Sequence, residues 1–178
     1  MQNNKTVIIF LIKFFGTYLV LFLIYSFYLS KNQKTNTVFA CAPITRMVAE
    51  QSQYVLNLIG YDSEIEQNKT EMSVKLFVNK TYVARVVEGC NAISIIILFI
   101  AFIVAFASGF KKTALYILFG SLIIYLINIF RIAIIALAIY KYPEYENVLH
   151  TIIFPGIIYG ITFLLWFIWI QKFSKLKR

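Results

Sequence analysis

The chain has 178 residues, 60% of them hydrophobic, with a mean hydropathy of +0.75 and a net charge of +9. That length suits one domain, but the composition excludes an ordinary water-soluble one. The basic residues form no patch of the kind that grips nucleic acid, so no nucleic-acid partner is expected. One His and two Cys make no convincing metal site, and no cofactor is expected.

Spanning the hydrocarbon takes about 20 mainly apolar residues per helix. Val7 to Leu29 supplies the first such stretch, broken only by Lys13. Ala40-Cys41-Ala42 resembles a cleavage or lipidation site beyond it, but the apolar run is too long for a signal core, and Lys31 and Lys34 intervene. An uncleaved N-terminal membrane anchor, residues 1–29, is therefore expected.

Residues 30–88 form the only sizeable segment outside the membrane. Within it, Val38 to Ile59 carries Val48, Val55, Leu58 and Ile59 at helical spacing, with Arg46, Glu50 and Gln51 between them. This predicts an amphipathic helix along the outer leaflet. Tyr61 to Glu71 is polar and acidic and reads as a loop. Met72 to Val87 alternates as two strands about an Asn79-Lys80 turn, a small hairpin that feeds into Cys90.

Ala92 to Ala107, Ala114 to Tyr140 and Leu149 to Ile170 supply three further spans. The second span is short. The third is long enough to be tilted or to run out of the membrane. The fold class expected is an all-α integral membrane bundle of about four transmembrane helices with a small external segment. Residues 89–171 form its catalytic helices and 172–178 a basic tail. Lys5, Lys111, Lys112, Lys172, Lys175, Lys177 and Arg178 lie on one side with no acidic residue among them, whereas residues 30–91 carry seven basic and six acidic residues. The positive-inside rule then puts both termini in the cytoplasm, beside anionic lipid headgroups.

Three residues stand out against this frame. Cys90 precedes the second span, Arg131 interrupts the third, and His150, the only histidine, heads the fourth. Topology aims all three at one zone near the outer surface. Arg131 lies nine residues before Tyr140, about 14 Å down the helix at 1.5 Å per residue, a depth its long stem can recover by snorkelling. Asn128, one turn below, is placed to orient the guanidinium. A charged group within an apolar segment costs about 2.5–3.5 kcal/mol on insertion scales, so a job or a partner is expected for it. Each residue also has a bland account. Cys90 could be inert packing or pair with Cys41, His150 could be an interfacial polar group, and Arg131 could pair with Glu88.

The segments Glu88-Gly89-Cys90-Asn91-Ala92 and Asn128-Ile129-Phe130-Arg131, with His150 at the head of the last span, resemble the exosortase/archaeosortase family. Within it, the chain resembles the short form of Bacteroidetes, exosortase F, best over residues 85–165. One departure is Ala92, where many members carry Gly; it bears on the local backbone turn. The resemblance implies a protein-sorting transpeptidase of the bacterial inner membrane with its active site facing the periplasm. Cys90, Arg131 and His150 would be its catalytic residues, with Glu88, Asn91 and Asn128 in support. The implied partner is a membrane-anchored substrate protein with a C-terminal sorting signal of short motif, hydrophobic span and basic tail.

The chemistry agrees with that implication. Cys90 as thiolate attacks a peptide carbonyl, His150 moves the proton, and Arg131 stabilises the oxyanion or the thiolate. Two rival readings are a scaffold braced by a Cys41–Cys90 disulfide and a small transporter subunit with Arg131 as an anion site.

Overall fold

The computed structural model describes residues 2–33 and 40–173. Lys34, the Val38 start of the expected external helix, and Lys175, Lys177 and Arg178 lie outside them.

Helix α1 runs over Gln2–Asn32, α3 over Ile93–Ala105, α4 over Phe110–Lys141 and α6 over Phe154–Lys172. Three stretches are long and apolar enough to cross a membrane: Val7–Asn32, Phe110–Lys141 and Pro143–Lys172. The fourth expected span, α3, has only 13 residues, about 20 Å of helix against about 30 Å of hydrocarbon.

Side chains fix the directions of these helices. Phe10 of α1 meets Phe106 at the end of α3 with ring centroids 4.5 Å apart, while Tyr25 of α1 bonds Asn91 just before α3. Phe102 stacks on Trp166 of α6 at 4.3 Å, and Trp169 Nε1 donates to the Phe106 carbonyl. Tyr116 of α4 donates to the Leu165 carbonyl at 2.7 Å. Successive helices therefore run in alternating directions, and the first and last helices begin and end at the same side. Where α4 crosses α3, Gly120 is required: a Cβ there would overlap the Phe99 ring. Small residues of this kind let membrane helices approach closely.

The segment before α3 is a small α/β unit. Helix α2, Pro43–Leu58, precedes strands β1 (Ser63–Gln67), β2 (Ser73–Val78) and β3 (Thr81–Val87), which form an antiparallel sheet in the order β1-β2-β3. The hairpin turn appears where the sequence puts it: Asn79 and Lys80 both have positive φ, 48° and 65°, the geometry that matches strand twist in a two-residue loop. The expected loop from Tyr61 to Glu71 instead contains β1, whose Ile65 sits opposite Leu76. In β3 the register steps from Ala84 to Tyr82, leaving Val83 as a bulge. The bulge re-phases the strand, so Val83 and Val86, three apart, both point into the core.

That core explains the length of α4. Its 32 residues make about 48 Å of helix, well beyond the hydrocarbon thickness. Ile132, Ala133, Ile135, Ala136 and Ile139 pack against Val48 and Leu56 of α2 and against Val74, Leu76, Val78, Val83 and Val86 of the sheet. The last third of α4 thus serves as the core helix of the α/β unit. Asn79 Nδ2 to Tyr140 OH (3.1 Å) and Tyr125 OH to Gln51 Oε1 (2.6 Å) tie it further. The inward face of α2 is Thr45, Val48, Ala49, Ser52 and Leu56, while Leu58 and Ile59 are exposed. One face of α2 is thus covered by the sheet and α4, while Met47, Tyr54, Leu58 and Ile59 leave a second apolar face exposed.

Candidate active site

Strand β3 ends in a tight turn, Glu88–Cys90, that delivers Cys90 to the top of α3. A set of polar side chains holds this turn. Glu88 accepts a hydrogen bond from the Ala42 amide at 2.7 Å and another from the Thr45 hydroxyl. Helix α2 has Ala42 at its cap and Pro43 at its start, so it brings no side-chain acceptor of its own. The carboxylate of Glu88 supplies one where the helix dipole favours negative charge. The alternative of a Glu88–Arg131 pair is not what forms: the ion pairs among the described residues are Arg46–Glu50 and Arg85–Glu71.

Asn91 is buried and donates to Tyr25 OH (2.7 Å) and Thr45 Oγ1 (3.0 Å), while its Oδ1 accepts from the Ile93 amide (3.0 Å). That last bond closes an Asx turn into α3. Ala92 between them has φ +64°, the left-handed region, the backbone state for which glycine is the default. Asn128, also buried, donates Nδ2–H to the Cys90 carbonyl at 2.7 Å. Asn128 therefore grips Cys90 rather than orienting Arg131 as the i, i+3 spacing suggests. Side-chain direction, not spacing alone, decides which neighbour is met.

The same bond fixes the height of the site. Asn128 lies 18 residues beyond Phe110, about 27 Å along α4. Arg131 is one turn higher, at the base of the packed external unit. Its guanidinium lies within electrostatic reach of Cys90 and of Tyr159 on α6. Its Nε is buried and has no hydrogen-bond partner among the described residues.

His150 sits in a wide π-type turn, Leu149–Ile153, between the single-turn α5 (Glu146–Val148) and α6. Such turns recur at functional sites. His150 and Cys90 line one groove of about 640 Å³, walled on one side by β3 and on the other by the segment from Pro143 to His150. Arg131 approaches Cys90 from the helix side rather than along the groove wall. Cys41 and Cys90 are both free thiols. Cys41 is buried, and that burial, followed by the charge of Glu88, pushes its thiol up to about 11. Among the described residues no cluster of three His, Cys, Asp or Glu could hold a metal ion.

Sequence reasoning missed Thr45, Tyr25 and Tyr159. Tyr25 had one signal, a polar tip at the outer end of an apolar span. Thr45 and Tyr159 had none, because their partners lie tens of residues away.

The sequence profile Transmembrane exosortase (Exosortase_EpsH) matches residues 7–169, nearly the whole chain. The chain belongs to the transmembrane exosortase family. Comparison with curated proteins and with solved structures finds no match. Membership makes this exosortase a membrane protein of sorting-signal processing, in keeping with its apolar helices.

Proposed function

We propose that this exosortase is a cysteine transpeptidase of the short, exosortase F-like kind. It cleaves the C-terminal sorting signal of secreted proteins at the outer face of the bacterial inner membrane, with both termini cytoplasmic. The observation that carries this reading is the placement of Cys90: it shares a groove with His150 and has the Arg131 guanidinium behind it. Cys90 Sγ attacks the scissile carbonyl, forming a C–S bond, and His150 takes the thiol proton. Collapse of the tetrahedral intermediate breaks the C–N bond, and His150 returns the proton to the leaving amine. The thioester is then attacked by an acceptor amine or hydroxyl, which frees the thiol; water in that place gives hydrolysis.

The buried, unfilled Nε–H of Arg131 suits an oxygen that becomes anionic only during reaction. A donor held ready in a water-poor site is worth most at that moment. The test is the alkylation rate of Cys90 against pH, in intact membranes on a Cys41→Ser background. The expected rate exceeds that of an ordinary exposed thiol and falls back to it in His150→Ala or Arg131→Gln. Ordinary thiol behaviour, unchanged by either substitution, overturns the reading.

A further inference from the structure

We propose that the outer edge of β3 is the substrate-docking rail: the residues just before the scissile bond lie in the groove as an extended strand, hydrogen-bonded to the β3 backbone. The inference rests on the cysteine-transpeptidase reading and adds where, and in what conformation, the peptide binds.

In the sheet order β1-β2-β3, β2 is the only described strand that pairs with β3. Its other side carries a row of N–H and C=O groups outside the ladder, a template that proteins normally cover or disrupt. Here the facing segment, Pro143 to His150, stands off across the groove instead of sealing it. Strand β3 then runs through Glu88 and Gly89 directly into Cys90, so a peptide on this edge is led to the thiol. An extended conformation is also what acyl transfer needs, because a helical substrate would have its carbonyls occupied by its own amides.

The dimensions suit a short motif. The Val83 bulge interrupts the ladder on one side and the Glu88–Cys90 turn ends it on the other. Ala84 to Val87 remain, about 13 Å of strand at 3.3 Å per residue, room for a segment of about four residues. Charge narrows the occupant. The Arg85 guanidinium is taken by both carboxylate oxygens of Glu71 at 2.8 Å. Glu144 and Glu146 on the facing wall form no ion pair among the described residues. The groove is therefore acidic, and its occupant is an uncharged or basic peptide segment. A substrate whose apolar span follows the cut enters the membrane in the same direction as the chain does from β3 to α3, so it lies parallel to β3.

The probes are acetyl-alanyl and acetyl-tetra-alanyl chloromethyl ketones, with alkylation of Cys90 measured in membranes on the Cys41→Ser background. One ladder hydrogen bond is worth roughly two- to tenfold, so the four-residue reagent should react at least roughly tenfold faster than the one-residue reagent. N-methylation should erase the gain at alternate residues only, since strand amides alternate in direction. Ala84→Pro and Arg85→Pro place one ring toward β2 and one toward the groove. The variant facing the groove should lose the length gain while keeping the one-residue rate, which also reports that it has folded. The proposal is overturned if chain length has no effect while the one-residue reagent labels Cys90 at a rate that depends on His150, or if N-methylation acts equally at every position. A one-residue rate that ignores His150→Ala overturns the transpeptidase reading itself, and the docking inference with it.

Discussion

Replacing Asn128 by Ala tests the link between the membrane helices and the reactive turn. The side chain is buried and gives one hydrogen bond of 2.7 Å to the Cys90 carbonyl. Removing the donor leaves that carbonyl short of a partner, at a cost of about 1–3 kcal/mol. Two outcomes compete for this cost: the fold can lose stability, or the turn can move toward another donor. The turn has only three residues, and hydrogen bonds in such tight turns are poor, whereas α4 is clamped by the external core above and by Phe99 below. The turn should yield first. A displacement of about 1 Å at a reacting group can cost about 100-fold in rate. Asn128→Ala should therefore slow Cys90 alkylation and sorting-signal cleavage by about 10- to 100-fold, while the detergent-solubilised protein melts within a few degrees of wild type. Asn128→Asp, which turns an acceptor toward the carbonyl, should be worse on both counts. If Asn128→Ala keeps alkylation within twofold of wild type, the carbonyl grip does not position Cys90 and the reasoning fails.

Three further outcomes follow from the same geometry. At Ala92, glycine relieves about 1–2 kcal/mol of left-handed strain but gives up about 0.8 kcal/mol of methyl burial and some chain entropy. Ala92→Gly should therefore unfold within about 1 kcal/mol of wild type, whereas Ala92→Val should cost about 1–3 kcal/mol, read by thermal melting of both variants. Gly120→Leu should destabilise the α3–α4 crossing by about 1–3 kcal/mol through overlap with Phe99, and Phe99→Ala should recover part of it in a double-mutant cycle. With its thiol pushed up to about 11, Cys41 holds only about 0.1% thiolate at pH 8, so its labelling should rise about tenfold per pH unit and lag Cys90 throughout. Equal labelling of the two cysteines in a pH 8 mass-spectrometric time course refutes its burial.

The legible and illegible parts of this chain separate by the range of the interactions that set them. Hydropathy alone marks α1, α4 and α6, because a bilayer-spanning helix is specified by its own residues. The Asn79–Lys80 turn is local in the same sense, and so is the alternation of Val74, Leu76 and Val78. Strand β1 escaped because Ser63–Gln67 has one apolar residue, Ile65, and is a strand only through its pairing with β2. The partners of Glu88 lie 43 and 46 residues away, and that of Asn128 lies 38 residues away. No spacing rule reaches so far. Spacing offered Arg131 as the nearest use for Asn128, which donates to the Cys90 carbonyl instead.

These partners leave the guanidinium of Arg131 beside Cys90 with an unfilled Nε–H. A purely structural arginine at this level could pair with Glu88 or turn toward water, and either would satisfy its donors at lower cost. Instead Glu88 is held by the start of α2, and the α2–sheet unit packs on the turns of α4 directly above Arg131. The external unit thus does two things at once. It packs on the upper turns of α4, and it holds the Glu88 carboxylate at the start of α2. A guanidinium so placed suits a thiolate or an oxyanion, and only a reacting substrate supplies the second.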